Sequence, residues 1–379
     1  MTGRGVVGRA GAEPGGQAAG QAAGQGGGQP GAVRVSRFSG PRGSVLHLAL
    51  ATGDPAHPLP ANGGLRVACG QLVTDPRGLT RRLATEMLLK HQLHRTGFWG
   101  AKMLVTGADV VDDELLAAVA QVLNHAAGTL YTGADMGVDA ADMGRLSLMT
   151  PYVLNAIGSS VEPNTATAYG VLGAVEAWAG GPVTGLRVLV HGVGKVGAVL
   201  ATELVAAGAS VLTCDTAPGA PDVPGSRPVQ DWAAQDVDVL MPCSVSDLVD
   251  PALAGRLRCG AVIGSANAVL ADEDVTARVL HGRGIDYVPT PLVNAGAVIV
   301  DSIEHYARDA FSAASPERVY AFVRETVRAA VADLIATAAG TLSASAIPHQ
   351  VPDPVGLPFC GLGFLPGEPA VTSDRKAGR

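Results

Sequence analysis

Lysine is scarce in this chain. Of 27 basic residues only Lys90, Lys102, Lys195 and Lys376 are lysine, and the rest are arginine. Long hydrophobic runs are also missing: every apolar stretch is broken by glycine, proline or charge before it reaches membrane-spanning length, so no membrane partner is expected. The opening residues, MTGRGVVGRAGAEPGG, lack the apolar centre of a secretory signal, so a cytoplasmic location is expected. The five cysteines, Cys69, Cys214, Cys243, Cys259 and Cys360, have none of the close Cys or His pairing of a zinc site. They read as reduced buried thiols, and no metal is expected. A net charge of -7 gives no footprint for nucleic acid. What remains is 379 residues, 47% hydrophobic, enough for two domains with their own cores.

The chain divides by pattern. Residues 1–34 are a Gly, Ala and Gln tract with an imperfect GQAAG repeat and are expected to be disordered. Residues 35–158 mix strand and helix. VLHLALA (45–51) and LRVACG (65–70) flank a Gly-rich turn and read as an antiparallel pair. Helical spacing covers 77–94 and 112–127, and MLVTG (103–107) and LYTGAD (130–135) read as strands. From 159 to 310 short apolar runs alternate with helical or loop segments, the pattern of a parallel sheet covered on both faces. A linking helix is expected at 166–179 and a long amphipathic one at 316–338, within a segment, 311–350, that completes the first domain. Residues 351–379 form a Pro- and Gly-rich tail.

The strand LRVLVH (186–191) runs into Gly192-Val193-Gly194-Lys195-Val196-Gly197, and a helix with Gly208 at its end follows. Gly192 allows the tight turn, Gly194 lets backbone approach a pyrophosphate, and Gly197 lets helix pack on strand. The helix N-terminus offers N–H donors to the phosphates. The next strand, ASVLTC, ends at Asp215, where a carboxylate can accept from ribose hydroxyls and would repel a 2′-phosphate. These residues predict a Rossmann-type domain that binds NAD. Prolines 218, 221, 224 and 228 argue against the helix that normally follows.

Lys90 and Lys102 lie 12 residues apart, on a helix ending near 94 and a strand starting near 103, so both are expected to face one cleft. Lysine, unlike arginine, can be brought to act as a base by burial or by a neighbouring cation. Asp135 closes Thr132-Gly133-Ala134-Asp135 at a strand end, among small residues that leave room for a ligand.

Taken in order, these residues resemble the glutamate, leucine, phenylalanine and valine dehydrogenases, most of all the leucine/valine/phenylalanine branch. Asn62-Gly63-Gly64-Leu65-Arg66 is similar to that family's GG(T)R turn, MLLK and GAK to the segments of its two active-site lysines, and TGAD to that of its catalytic aspartate. Glu162 to Gly170 is similar to its entry into the cofactor domain. Pro242-Cys243, Gly264-Ser265-Ala266-Asn267 and Val293-Asn294-Ala295-Gly296 are similar to its later strand ends. The resemblance implies an α/β protein: a mixed α/β substrate and dimerisation domain followed by a Rossmann domain, assembled as a homo-oligomer. It implies reversible oxidative deamination of an L-amino acid to a 2-oxo acid and ammonia, with NAD as acceptor. Lys90, with backbone near Gly63 and Gly64, would hold the substrate carboxylate. Lys102 would activate water, Asp135 would shuttle the amine proton, and Asn267 and Asn294 would orient nicotinamide and substrate. Thr167, Cys243 and Ser265 join Gly192, Gly194, Lys195, Val196, Gly197 and Asp215 as implied cofactor contacts.

The chain departs from the family in places. Phe98-Trp99-Gly100-Ala101 replaces a glycine run before Lys102, and Trp99 either lines a reshaped pocket or belongs to the core. Asn62 and Asp301 occupy positions where apolar pocket residues are expected, and Gly133 is expected to enlarge the pocket. Asn62 and Asp301 disfavour a purely aliphatic side chain and point to a polar or cationic one. Two alternatives stay open at this level: a non-catalytic NAD-binding paralogue, and an imine reductase or amino-acid oxidising enzyme of a specialised pathway.

Overall fold

The computed structural model describes residues 32–51, 58–338, 342 and 359–365. The repeat-bearing N-terminus and most of the tail lie outside the described residues, as does the first part of the expected Gly-rich turn, 52–57.

The first sheet is built from β1 (Val33–Ser39), β2 (Val45–Ala51), β3 (Ala61–Val67), β4 (Trp99–Thr106) and β5 (Leu130–Ala134), in the order β1-β2-β4-β3-β5. β1 begins where the low-complexity tract was expected to end. The predicted β2–β3 pair is corrected here. β2 pairs antiparallel with β1 and β4, whereas β3 lies between β4 and β5, parallel to both. Asn62-Gly63-Gly64 is therefore the body of a central strand and not a turn. Helix α1 (Pro76–Leu93) carries the crossover from β3 to β4. Asp75 caps it by accepting from the Gly78 N–H, and Pro76 starts it where no N–H partner is needed. Gly100 allows the close fit of α1 on the sheet: a Cβ there would stand 2.4 Å from the Leu88 nitrogen. α2 (Asp113–Ala126) and α3 (Ala140–Ser147) complete this unit, with Leu115, Leu116, Val119 and Leu123 packed against Leu65, Met103 and Val105.

α4 (Pro163–Ala179) leads into a second, wholly parallel sheet. Its strands are β6 (Arg187–His191), β7 (Ser210–Cys214), β8 (Arg227–Pro228), β9 (Val239–Pro242), β10 (Ala261–Val262) and β11 (Asp286–Tyr287), in the order β11-β10-β9-β6-β7-β8. β6 is central: β7 leaves on one side and β9 on the other, so the chain changes direction there and opens a crevice at the carboxyl ends of β6 and β9. Helix α5 (Gly197–Ala206) follows β6. No helix joins β7 to β8, as the prolines predict. α6 (Pro251–Ala254) and α7 (Glu273–Gly282) cover the far strands.

Two helices tie the sheets together. α8 (Thr290–Val293) and α9 (Gly296–Tyr306) leave the second sheet and reach the first, where Ser302 Oγ donates to the Thr96 carbonyl and Tyr306 donates to the Gly97 carbonyl. After α10 (Arg308–Ser312), α11 (Pro316–Thr337) runs along α4. This helix lies in the 311–350 segment expected to complete the first domain, and its core contacts are with α4 and the second sheet. Val319, Val323, Val327 and Val331, four residues apart, share the core of α4, β6 and β9. At about 1.5–3 kcal/mol per buried side chain, that stripe decides where α11 packs. Arg324 adds a two-pronged ion pair to Glu176 of α4. Within the tail, Cys360–Phe364 forms a 3₁₀ turn docked on α9, with the Gly361 N–H donating to Ser302 Oγ. Among the described residues no helix is long and apolar enough to cross a membrane, and no group of three or more His, Cys, Asp and Glu could hold a metal.

Candidate active site

Strand alternation aims the chemistry of the first sheet at one face. Asn62, Gly64 and Arg66 alternate along β3, Gly100 and Lys102 along β4, and Asp135 follows the last residue of β5. Lys102 is 5% exposed, and its Nζ lies 2.5 Å from Asp135 Oδ2. Arg66 Nε donates to the same oxygen at 2.7 Å and Nη2 to Oδ1 at 3.3 Å. Gly64 makes room for this cluster, since a Cβ there would stand 3.1 Å from Lys102 Nζ and 2.9 Å from Asp135 Cβ. Gly63 is needed for backbone contact: its Cβ would strike the Ala101 carbonyl oxygen at 1.8 Å.

Burial pushes the Lys102 ammonium below the ordinary lysine range, and the Asp135 carboxylate only partly restores it. For Asp135 burial acts upward, but Lys102 and Arg66 together outweigh it and hold the carboxyl well below the usual range. The result is a lysine readier than normal to lose its proton, beside a carboxylate that stays charged. Arg66 is the residue sequence reasoning missed as a participant. Its signal was its place two residues after Gly64, on the same strand face.

Lys90 stands in the last turn of α1, packed by protein yet partly accessible. Burial brings it down to about 8, with Glu86 opposing and Lys102 assisting. Its Nζ reaches Asn267 Oδ1 at 3.5 Å across the seam between the sheets. Asn267 Oδ1 also accepts from Asn294 Nδ2 at 2.9 Å, and that amide reaches the Ser265 carbonyl at 3.1 Å. Asn294 Oδ1 is buried without a partner among the described residues, an acceptor free for a ligand donor. One chain of contacts thus links the lysine side of the cleft to the ends of β9 and β10.

The crevice at β6 and β9 fits a dinucleotide. Gly192 has a φ of +97°, and its N–H donates to the Cys214 carbonyl at 2.7 Å. A Cβ on Gly197 would strike the Gly192 carbonyl oxygen at 1.9 Å, so helix and loop close only with glycine. At Gly194, by contrast, nothing lies within 4 Å of a Cβ position, which leaves the backbone open toward a phosphate. Val196 begins the helix and Lys195 is exposed beside it. Asp215 accepts from the Val193 N–H at 2.7 Å and the Ala217 N–H at 2.8 Å, and these bonds hold its carboxyl below the usual range. The Cys243 N–H donates to the His191 carbonyl, which holds the β9 end against the loop. Thr167 in α4 lies against the start of α9, where a Gly296 Cβ would meet its Cα at 2.5 Å.

Two pocket expectations change. Gly133 does not enlarge a pocket: the space a Cβ would need is filled by the Leu154 carbonyl oxygen, 2.6 Å away. Trp99 belongs to the core, 4% exposed, on the opposite face of β4 from Lys102. The lysine therefore keeps its position despite the indole. Asn62 and Asp301 do meet, with Asn62 Nδ2 donating to Asp301 Oδ2 at 2.7 Å.

Residues 220–347 match the model of the Glutamate/Leucine/Phenylalanine/Valine dehydrogenase family. A phenylalanine dehydrogenase of Caldalkalibacillus thermarum is 30% identical over 270 residues, 65% of this chain and 72% of that protein. A leucine dehydrogenase of Thermoactinomyces intermedius is 29% identical over 66% and 73% of the two chains. Among solved structures, L-tryptophan dehydrogenase from Nostoc punctiforme superposes with a TM-score of 0.63 at 22% identity, covering 80% of this chain and 88% of that one. The hetero-hexameric glutamate dehydrogenase of Thermus thermophilus gives 0.63 at 24% identity, covering 80% and 82%. The chain belongs to the glutamate/leucine/phenylalanine/valine dehydrogenase family and is an NAD-dependent amino-acid dehydrogenase.

Proposed function

We propose that Lys102, Asp135 and Lys90 carry out the reversible conversion of an L-amino acid to its 2-oxo acid and ammonia. The observation that carries this is the 2.5 Å contact between a buried lysine and a carboxylate fixed by a second cation. Bound NAD, held by the Gly192–Gly197 loop, Asp215, Thr167, Cys243, Ser265 and Asn267, would supply the acceptor for the two electrons released at the substrate α-carbon. Lys90 holds the substrate carboxylate as a point charge beside Gly63 and Gly64. Lys102, neutral once its proton has left, takes a proton from the water that attacks the iminium carbon. Its restored ammonium then steadies the carbinolamine oxygen. Asp135 exchanges protons with Lys102 and with the departing amine, so the pair titrates as one unit. Asn294 turns its unpartnered oxygen to the ligand. Closure of the cleft along the Lys90–Asn267–Asn294 seam excludes water.

The two lysines are required in opposite protonation states, and this gives the test. Lys102 must be neutral to act as base, so kcat rises with pH until it has lost its proton. Lys90 must be charged to hold a carboxylate. Its proton leaves the free protein at about 8, so KM for the amino acid rises above that pH. Initial rates across pH should give these two limbs. Lys90→Met should raise KM roughly 10- to 100-fold and flatten its alkaline rise. A KM with the same pH dependence in both proteins would remove Lys90 from the carboxylate site.

The protein is further assigned to the cytoplasm as a homo-oligomer. Support for assembly through the first domain comes from Phe38, Leu72, Val110, Met136 and Leu148, all large apolar side chains exposed on that unit.

A further inference from the structure

Asn62 and Asp301 take no part in the deamination step, yet they form a hydrogen-bonded side-chain pair that joins β3 to α9. Asn62 is 1% exposed and lies two residues before Gly64 on the strand face that carries the lysine cluster. α9 begins two residues after Asn294. A substrate whose α-carbon is held between Lys102 and Asn294 therefore extends its side chain toward this pair.

The pair is rich in acceptors and short of donors. Asn62 spends Nδ2 on Asp301, and its buried Oδ1 has no hydrogen-bond partner among the described residues. Among the described residues no lysine, arginine or histidine forms an ion pair with Asp301, and the charged group that acts on it is the Glu304 carboxyl. Glu304 is itself occupied by the Ala156 N–H. Asp301 is crowded by protein but keeps some accessible surface. Burial, opposed by the Asn62 amide and reinforced by Glu304, pushes its carboxyl well above the usual range. An apolar side chain entering here would leave the Asn62 oxygen without a donor and Asp301 without a cationic partner. A side chain ending in a cationic nitrogen would restore the charged carboxylate and satisfy that oxygen.

We infer that the amino-acid substrate carries a basic side chain, whose cationic nitrogen is held by Asp301 and the free oxygen of Asn62. This rests on the proposed deamination chemistry. The test is NADH formation by the purified full chain with L-lysine, L-ornithine, L-arginine, L-leucine, L-phenylalanine and L-glutamine. A basic amino acid should exceed leucine in kcat/KM by roughly 100-fold. Asp301→Asn, near in shape, should cut that ratio by roughly the same factor while leaving the melting temperature close to wild type. A purely structural role for the pair would instead lower all substrates together with the melting temperature. Preference of the wild-type protein for leucine, phenylalanine or glutamine overturns the inference and leaves the deamination reading standing. Turnover of none of the six overturns both.

Discussion

Replacing Lys102 with methionine should lower kcat by roughly 10³- to 10⁴-fold, the upper range for loss of a positioned general base. Methionine matches the length of the lysine stem and fills the same buried slot on β4, so the sheet has no reason to move. What disappears is, among the described residues, the one side chain bonded to Asp135 that can serve as a base, a role a guanidinium does not take. Asp135 keeps its two bonds from Arg66 and is not left as an orphan charge. NAD binding, read by fluorescence quenching or calorimetry, should be unchanged, since the Gly192–Gly197 loop belongs to the other sheet. Loss of turnover with intact NAD binding assigns the effect to chemistry. A fall in NAD affinity to match would assign it to misfolding.

Asp135→Asn should cost roughly 10²- to 10³-fold in kcat and should also move the pH profile. The sign follows from the direction of each effect. Burial lowers the Lys102 pKa, and the Asp135 charge raises it again. An uncharged amide removes the raising influence, so the variant's Lys102 loses its proton at a lower pH and the rising limb of kcat shifts toward acid. The maximum falls because asparagine cannot accept a proton from the amine. If Lys102 and Asp135 act as one unit, Lys102→Met and Asp135→Asn combined should be little worse than Lys102→Met alone. Additive losses, or a limb that moves toward alkali, would show that the two groups act separately.

The parts of this site that were legible in the sequence are those whose signal is local. The Gly192–Gly197 loop shows its strand, turn and helix within one stretch, and the prolines after Asp215 rule out a helix by their own geometry. Lys90 and Lys102 stood out because the chain has so little lysine. What failed depended on partners distant in sequence. LRVACG looked like the second arm of a hairpin, but the crossover helix α1 inserts β4 between it and β2. Gly133 looked like pocket space, yet backbone from 21 residues later fills it, which no strand pattern announces. Helix α11 was legible as a helix, but its choice of α4 as neighbour was not, because an apolar stripe fits any complementary face. Trp99 was ambiguous for the same reason, and the pleat of β4 resolves it by turning the indole away from Lys102. Arg66 was passed over as part of a motif until the fold placed its guanidinium on Asp135.

The central claim is that the chain oxidises a carbon bearing an amine and releases that amine. The direct measurement is ammonia released against NADH formed, with the purified protein, NAD and the best L-amino acid of the panel above. Ammonia and NADH in equal amounts, both abolished in Lys102→Met, is the predicted result. NADH formed without ammonia, or ammonia and NADH formed undiminished in Lys102→Met, would contradict it.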